Sequence, residues 1–435
     1  MIATIQLQDI GPVAGLEADF GDRLNLVTGD NGLGKTFLLD ACWYALTRAW
    51  ADERTILPGP EAKKDDDPKI SYSVVGKAGK EVQSEARFDF QAQSWKGKAA
   101  RPPIPGLVIY ARIDGGFSVW DPARNYWRDS EEGGKRPGSY QFSKSEVWNG
   151  LIQPDEGEAP KTICNGLLRD VELWRLRKNA AFDRLQSVLA RLSADESESL
   201  SIGEGVRLRV DDVVDIPTLN LPYGPVPVTM AAAGMKRVLA LAYLLVWAWE
   251  EHRRSSEIKK DETTDRIVLL FDEVEAHLHP KWQRVFLPAL LEAVESLLLE
   301  GNTSSVQIIA TTHAPLILGS VEASWKPGHD KLFDFDLVDK KVVFGEREFA
   351  RLGSAENWLS SESFDLSSGY PIAAEHAIAE ADAFMIEFPD PASAPATDKS
   401  RIHQALMATL GGDDEYWPYW LPYFEQNIQP GGMAR

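Results

Sequence analysis

One short segment limits what this chain can fold into more than any other. The residues GDNGLGKT, at 29–36, follow the apolar run "LNLVT" and precede the largely apolar run "FLLDACWYAL". The first run is typical of a buried strand, and the second is typical of a buried helix. A strand that passes through a glycine-rich turn directly into a helix is a recurring unit of α/β proteins. The predicted fold class is therefore α/β.

The same segment matches the pattern GxxxxGK[ST] of a loop that binds phosphate. A phosphate chain needs backbone N–H groups that point inward, and side chains would block its approach. The helix that begins at Lys35 adds its positive N-terminal end. We predict that Lys35 contacts the β- and γ-phosphates of ATP and that Thr36 ligates Mg²⁺; a purely structural loop is the weaker alternative. The predicted nucleotide-binding residues of the loop are Gly29, Asn31, Gly32, Gly34, Lys35 and Thr36.

A second motif supplies two carboxylates. In "RIVLLFDEVEAHLHP", the five apolar residues 267–271 predict a buried parallel strand that ends at Asp272. A carboxylate at a strand end can hold a hydrated Mg²⁺, and we assign this role to Asp272. Glu273 points elsewhere because strand side chains alternate, so we predict that it polarises the water attacking the γ-phosphate. The pair is weak evidence alone and strong evidence beside the phosphate loop.

A third apolar strand, "VQIIATT", ends at His313. A histidine at such a position can hydrogen-bond the γ-phosphate or the attacking water, and we predict a catalytic role for it. An isolated histidine is more often a core or loop residue with its own partners. The two other motifs in the chain favour the catalytic interpretation.

A fourth element, "VTMAAAGMKRVLALAYLLVWAWEEH", begins with a turn of small residues and continues as a long helix. The start of this helix is a second potential anion-binding site. Within one chain it has no phosphate to bind, but it would make sense over the nucleotide of another copy. We therefore add Ala233 and Gly234 to the predicted nucleotide-binding residues.

Charge restricts the partners. The formal net charge is −20 and the pI is near 4.9. Such a chain repels nucleic acid at long range, so direct DNA contact needs a local basic patch. Segment 164–195 is a candidate patch, although a solvated helix face is the simpler interpretation. Its cations are Arg169, Arg175, Arg177, Lys178, Arg184 and Arg191.

Cysteine usage and apolar runs bear on the compartment. Cys42 and Cys164 lack metal-type spacing and argue for a reducing compartment. The start "MIATIQLQDIGPV" alternates like a strand and lacks the features of a signal peptide. The longest apolar run, 238–249, is too short to span a bilayer. We expect a cytoplasmic protein without membrane contact.

Periodicity and turn residues divide the chain into five predicted parts. Two of them form a nucleotide-binding head, at 1–60 and 216–330. A β-rich lobe and a helical insertion lie between them, at 61–145 and 146–215. A hairpin plus a helical C-terminal region completes the chain, at 331–435.

Four local elements are also expected. Helical spacing covers 167–192, and a long helix runs through Glu251. Another helix covers about 280–299, and the segment "KLFDFDLVDKKVVFGE" predicts a hairpin.

The phosphate loop, the Asp272–Glu273 pair, His313 and the turn of small residues before the long helix together resemble motifs of one family. This family is the ABC-type ATPase heads of the SMC, RecF and OLD branch. "GDNGLGKT" is close to that branch's GxNGxGK[ST], and "DEVEAHLHPKWQ" looks like the Walker B and D-loop of OLD-type ATPases. "THAP" resembles their switch-histidine motif, and "AAGMKR" their shortened signature. The resemblance implies a P-loop head with a mixed β-sheet. It also implies ATP hydrolysis with Mg²⁺, and a homodimer or higher oligomer that pairs head-to-head around ATP.

The chain departs from the family pattern at two points. Ala232 stands where the signature usually begins with a serine that touches the opposite γ-phosphate. The departure puts activation by the second copy in doubt and would make hydrolysis slow, although the N–H groups of Ala233 and Gly234 remain. The Q-loop has no compelling position, and its candidates are Gln91, Gln93 and Gln141.

Finer similarity comes from four segments: "LVIYARIDGGFSVWDPARN", "KSEVWNGL", "NWLSSESFDL" and "DDEYWPYWLPYF". They look like segments of bacterial ATPases that accompany an HNH endonuclease in Septu-type and retron-associated antiphage systems. This similarity implies an ATPase subunit that controls a partner nuclease, with indirect or weak nucleic-acid contact. Two alternatives stay open: a slow or non-hydrolysing nucleotide sensor or scaffold, and a RecF-like DNA-repair ATPase, against which the net charge counts.

Three other groups have simple structural explanations. His277 and His279 form an H-x-H pair, but a turn before a helix is more consistent with the following proline than a metal site. Asp334 and Asp336 resemble a TOPRIM nuclease pair, yet the surrounding pattern is a hairpin. The aromatic segment 416–424 predicts core packing, with a docking surface for a partner protein as the alternative.

Overall fold

The computed structural model describes residues 1–51, 55–59, 67–97, 103–127, 137–154, 159–194, 199–211, 213–298, 305–361, 364, 366 and 368–426. Two units divide the chain, Met1–Trp358 and Leu359–Arg435. Part of the segment "NWLSSESFDL", at 362–363 and 365, lies outside the described residues. The five-part division made from the sequence stays a prediction.

The strands are β1 (Ile2–Ile10), β2 (Val13–Asp19), β3 (Leu24–Gly29), β4 (Lys69–Val75), β5 (Glu81–Asp89), β6 (Ser94–Gly97), β7 (Leu107–Ala111), β8 (Phe117–Trp120), β9 (Tyr140–Phe142), β10 (Leu151–Gln153), β11 (Lys161–Cys164), β12 (Ser201–Ile202), β13 (Thr218–Leu221), β14 (Gly224–Pro227), β15 (Arg266–Phe271), β16 (Ser305–Thr311), β17 (Asp330–Val338) and β18 (Lys341–Arg347).

The helices are α1 (Lys35–Thr47), α2 (Pro122–Asn125), α3 (Lys144–Asn149), α4 (Leu167–Arg177), α5 (Ala180–Arg191), α6 (Ala233–Lys259), α7 (Pro280–Gln283), α8 (Phe286–Leu298), α9 (Pro315–Val321), α10 (Ala355–Leu359), α11 (Ile372–Glu387), α12 (Ala396–Thr409) and α13 (Trp417–Glu425).

The larger sheet of the first unit has the strand order β18-β17-β3-β16-β15-β7-β8-β9. Strands β17 to β7 in this order are parallel, while β18, β8 and β9 are antiparallel to their neighbours. Strands buried on both faces need nearly continuous apolar sequence. Strands β7 and β15 meet this requirement, since all but one of their residues are buried and apolar. The predicted mixed α/β sheet is confirmed.

The smaller sheet is antiparallel, with the order β2-β1-β4-β5-β6. The strands expected to form one β-rich lobe divide between the two sheets, because β7, β8 and β9 extend the larger one. Alternation of side chains identifies a strand but does not specify its partner. Helix α1 packs against both sheets, and its apolar residues share a core with β1 and β4 of the smaller sheet and with β3, β7 and β15 of the larger one.

Helix α6 is the longest helix described, with 27 residues. Every residue of its segment 238–249 is buried, as the apolar run predicts. It packs against α2, α3, α4, α5 and α8, and these helices help to bury that segment. Over the described ranges, no helix combines the length and the apolar character needed to cross a membrane.

Two predicted helices are each broken once. The segment 167–192 forms α4 and α5, because Lys178 adopts a left-handed conformation and the Asn179 side chain caps the second helix. The segment after His279 forms α7 and α8. Pro288 lies in the first turn of α8, where its missing N–H is tolerated, but its ring would clash with a helical carbonyl four residues earlier.

Strands β17 and β18 form the predicted hairpin. Residues Asp339 and Lys340 both have positive φ at its turn, as a two-residue hairpin turn requires. Asp334 is buried in β17, and its carboxylate accepts a hydrogen bond from the Thr28 hydroxyl at 2.9 Å. His279 caps α7, since its ring accepts the N–H of Lys281.

The second unit contains the aromatic segment 416–424. Trp417 and Trp420 are buried in a core that α11, α12 and α13 share. Tyr419 is 73% exposed. Core packing therefore explains the two tryptophans, and Tyr419 leaves the docking alternative open.

Candidate active site

The carboxyl ends of β3, β16 and β15 meet at one edge of the larger sheet. In the register of these strands, Val27 pairs with Thr311 and Phe271 pairs with Ala310. Each strand is followed by one of the sequence motifs: the loop 29–34, the pair Asp272–Glu273, and His313. The parallel topology therefore collects residues that are far apart in the sequence.

The loop needs glycine at its first position. Gly29 has a φ of 123°, and a Cβ there would lie 2.3 Å from the carbonyl oxygen of Phe335. Asn31 and Gly32 are exposed along the loop, and Gly34 caps α1. The predicted loop residues thus surround the first turn of the helix, with backbone on the exposed side.

Lys35 spans the loop from inside. Its ammonium group donates to the carbonyl oxygens of Gly29 and Asp30, at 2.7 and 2.8 Å. Burial lowers the pKa of Lys35, and the carboxylates of Glu273 and Asp272 act in the opposite direction. The side chain is held at the loop by two neutral carbonyls that anionic oxygens could replace.

Asp272 is only 1% exposed, and each of its oxygens accepts one hydroxyl hydrogen bond. Thr36 donates to Oδ2 and Thr311 donates to Oδ1, both at 2.9 Å. Burial raises the pKa of Asp272, while the two hydroxyl groups lower it. The structure therefore brings together the two predicted metal ligands, Thr36 and Asp272.

Glu273 has a left-handed backbone, with a φ of 48°. This conformation is uncommon for a residue with a side chain. Its N–H donates to the Thr311 hydroxyl at 2.8 Å, and its carboxylate Oε1 lies 3.6 Å from Nε2 of His313. Thr311 therefore connects the two carboxylate residues, and the two predicted catalytic side chains face each other.

His313 is positioned by Glu275. The carboxylate of Glu275 accepts the backbone N–H of His313 at 2.5 Å. Burial and the positive charge of Lys35 lower the pKa of His313, while burial raises the pKa of Glu275. Within the described chain, Nε2 of His313 is buried without a hydrogen-bond partner. That nitrogen is available to a ligand oxygen.

The start of α6 lies against the turn 272–278. A Cβ on Gly234 would come within 2.6 Å of the carbonyl oxygen of His277. The guanidinium of Arg237 donates to the carbonyls of Asp272 and Glu273, at 3.2 and 3.3 Å. Ala233 is exposed. The structure thus brings Gly234 next to the turn 272–278. No hydrogen bond of the described residues joins Gly234 to the loop 29–34.

None of the three candidate Q-loop glutamines follows a parallel strand. Gln91 and Gln93 lie in the turn between β5 and β6, and Gln141 lies in β9 at an edge of the larger sheet. Strand β15 has two parallel neighbours, β16 and β7, and Arg112 follows β7.

Two family models match this chain. The model "AAA domain" matches residues 4–160, and the model "AAA domain, putative AbiEii toxin, Type IV TA system" matches residues 171–319. The first range contains the loop and α1, and the second contains α6, β15, β16 and His313. Both halves of the site therefore fall within ATPase family models.

The chain is similar to AAA-domain families over both parts of its site. Its motifs resemble those of the SMC, RecF and OLD branch.

One relative of this chain is the "Retron Vc95 probable ATPase" of Vibrio cholerae serotype O1 biovar El Tor. The two are 37% identical over 54 residues, which are 12% of this chain and 9% of the relative. The chain thus spans less than a tenth of the length of the relative it matches.

Several solved structures are similar to this chain, although their sequence identity to it is low. The SMC head domain from Thermotoga maritima is 12% identical over 80% of this chain and 99% of its own, with a TM-score of 0.40. An SMC head bound to the winged-helix domain of ScpA is 15% identical over 80% of this chain and 98% of its own, with a TM-score of 0.39. The recombination mediator RecF is 12% identical over 79% of this chain and 98% of its own, with a TM-score of 0.37.

Three residues at this site were not found from the sequence. Thr311 bridges Asp272 and Glu273, Glu275 holds His313, and Arg237 reaches the catalytic turn. Thr311 and Glu275 lie within two residues of recognised motif positions, which is the only sequence signal for them. Arg237 ends the segment "AAGMKR", but its contacts depend on how α6 packs.

Proposed function

We propose that this chain is an ATPase, which binds ATP and Mg²⁺ where the loop 29–36 meets Asp272. In this proposal, Glu273 activates the attacking water. The observation that carries the proposal is the hydrogen-bonded set of Thr36, Asp272, Thr311 and Glu273. It fixes one carboxylate beside the phosphate loop and leaves the next one for proton transfer.

The donor set fits Mg²⁺. A hydroxyl and a carboxylate oxygen stand side by side at 2.9 Å, and Mg²⁺ prefers a few such oxygens together with water and phosphate. When bound, Mg²⁺ would neutralise charge on the β- and γ-phosphate oxygens. Lys35 would exchange the carbonyls of Gly29 and Asp30 for phosphate oxygens, because a charge-assisted hydrogen bond is the stronger one.

Glu273 and His313 would act on the two different groups that react. Glu273 accepts a proton from the water, and the neutral imidazole of His313 offers Nε2 to the γ-phosphate. Its lowered pKa keeps this ring neutral at pH 7, so it adds no charge that would hold Glu273 in an ion pair. Glu275 keeps the ring in place through the backbone.

We further propose that two or more copies pair head-to-head around ATP and control a partner nuclease in the cytoplasm. The exposed residues Ala232 and Ala233 at the start of α6 support contact with the nucleotide of a second copy. Similarity to a retron ATPase supports a nuclease partner, for which the HNH type is proposed. With a net charge of −20, this chain would touch nucleic acid weakly or through that partner.

A nucleotide sensor or scaffold is the second candidate. Ala232 offers no hydroxyl to a γ-phosphate, and no side chain caps α6. A pair of such subunits would close around ATP and hydrolyse it slowly. This candidate shares the binding site with the first and differs in turnover.

Steady-state ATP hydrolysis at several protein concentrations tests the proposal. Wild type should turn over ATP at a specific rate that rises with concentration, because the site is shared between copies. Glu273→Gln should bind ATP with unchanged affinity and lose roughly 10²–10⁴-fold in turnover. The matched control is Glu346→Gln on the exposed hairpin, which should behave as wild type.

Absence of turnover in wild type, with ATP binding that depends on Lys35, would favour the sensor. Equal turnover in wild type and Glu273→Gln would contradict the role of Glu273. Nuclease control is tested separately. The chain is purified with the nuclease encoded beside it, and DNA cleavage by wild type and Glu273→Gln complexes is compared. Identical cleavage would contradict that control.

A further inference from the structure

Arg237 contacts three backbone carbonyls of two other segments. Its Nη1 donates to Ile113 at 3.2 Å, and its Nη2 donates to Asp272 and Glu273 at 3.2 and 3.3 Å. Ile113 follows β7, and the other two residues follow β15. One side chain of α6 thus joins the ends of two neighbouring parallel strands.

The surroundings favour arginine at this position. The guanidinium lies 5.5 Å from the ring centre of Phe271, and Asp272, Glu273 and Glu275 supply negative charge nearby. The guanidinium is planar and holds several donors in a fixed fork, so it can serve three carbonyls at once. A lysine could reach one or two of them.

The contact falls on a strained residue. The left-handed backbone of Glu273, with a φ of 48°, is less favourable than a helical or extended one for a residue with a side chain. Such a conformation persists only where its surroundings hold it. The N–H of Glu273 is held by Thr311, and its carbonyl is held by Arg237 and by the N–H of Ala276.

A second contact makes the connection stiff. Gly234 lies one turn before Arg237 on α6, and its backbone touches the carbonyl oxygen of His277 so closely that a Cβ would not fit. The start of α6 and the turn 272–278 therefore meet at two points. Movement of the helix start would be passed to the backbone of Glu273.

We propose that Arg237 is a positioning residue for ATP hydrolysis, which holds the backbone of Glu273 so that its carboxylate is directed at the attacking water. The inference rests on the proposed function, in which Glu273 activates that water. It adds a route by which a nucleotide of a second copy, bound at the start of α6, would act on Glu273.

Arg237→Met and Arg237→Lys test this role beside wild type. For Arg237→Met we expect a loss of about 10–100-fold in kcat, because small displacements of a catalytic group have effects of this size. The affinity for ATP, measured by binding titration, should change less than about threefold, because the hydrogen bonds of Arg237 among the described residues go to Ile113, Asp272 and Glu273 and not to the loop. Arg237→Lys should recover part of kcat. Arg254→Met, at an exposed position of the same helix, is the matched control.

The outcomes separate the two proposals. If wild type hydrolyses ATP and Arg237→Met does so equally well, the positioning role is overturned and the proposed function stands. If Arg237→Met loses ATP binding and melts earlier together with kcat, and Arg237→Lys recovers nothing, Arg237 is a folding residue and the inference is also overturned. If wild type shows no turnover, the proposed function fails and this inference fails with it.

Discussion

Helices α1 and α6 begin in the same way but meet different surroundings. Both start with a turn of small residues, so both present free backbone N–H groups. At α1, Lys35 and Thr36 meet Asp272 within the same chain. At α6, Gly234 and Arg237 meet the turn 272–278, and Ala233 stays exposed. The start of α1 has its partners for a ligand within its own chain. In our proposal, the start of α6 meets the nucleotide of a second copy.

Replacing a lysine at each helix start should give the largest difference, which is measured as the loss of ATP affinity. Lys35→Met should weaken ATP binding roughly 100-fold, because charge-assisted hydrogen bonds to phosphate are lost from a buried position. Lys236→Met makes the same change in the first turns of α6 and should alter binding less than about twofold. Titration with a fluorescent ATP analogue at low protein concentration measures both. Similar losses in the two variants would contradict the comparison.

The next effect concerns the close contact of α6. Gly234→Ala adds a Cβ that would lie 2.6 Å from the carbonyl oxygen of His277, so the helix or the turn must move. We expect a loss of about 1–3 kcal/mol in the free energy of unfolding. Ala233→Ser, at the exposed neighbouring position, should change it by less than about 0.5 kcal/mol. Urea unfolding measures the difference, and equal stability of the two variants would show that the contact is loose.

A third variant tests the hydrogen bonds by which Thr311 connects Asp272 and Glu273. Thr311→Val removes the hydroxyl that donates to Asp272 and accepts from Glu273, at a fully buried position. We expect a loss of about tenfold in kcat, since the two polar partners lose a hydrogen bond worth about 1–3 kcal/mol. Thr311→Ser keeps the hydroxyl and should retain most of the activity. Equal kcat values for Thr311→Val and Thr311→Ser would show that the Thr311 hydroxyl has no role in hydrolysis.

The smallest effect concerns Asp334, which lies beside the strand that leads into the loop. Burial raises its pKa to about 6, from 3.8. The folded protein therefore binds this proton more tightly than the unfolded chain does. The stability that results is present below pH 3.8 and is lost as the pH rises through 6.

Asp334→Asn cannot ionise and should lack this loss. The difference in unfolding free energy between Asp334→Asn and wild type should shift by about 1–2 kcal/mol in favour of the variant between pH 4 and pH 7. Asp336→Asn is the control, because Asp336 is exposed on the same strand. A constant difference across this range would show that the carboxyl group of Asp334 titrates normally.

The α1 side of the comparison could be predicted from the sequence almost completely. The loop, Asp272 and His313 belong to motifs that residue type and spacing reveal, and apolar runs identify β3, β15 and β16. The hairpin and the buried part of α6 followed from periodicity and turn residues in the same way. In each case the local sequence determines the local structure.

The α6 side could not be predicted in this way. The role of Arg237 depends on how a helix packs against a turn more than thirty residues later in the sequence. The division of β4–β9 between two sheets depends on pairing, which alternation does not encode. The break before α8 was visible as Pro288, but its effect was not predicted because the surrounding residues keep helical spacing.

The order of strands in the larger sheet has a consequence for how the chain is made. Strand β3, which leads into the phosphate loop, has β16 and β17 as its only neighbours in that sheet. The first of these begins at Ser305, so on the ribosome β3 waits for its partners for roughly 15–60 s at about 5–20 residues per second. During that time β3 lacks both of these partner strands, although α1 can already pack against β1 and β4. The apolar residues of β3 would therefore need protection by chaperones until β16 and β17 have been made.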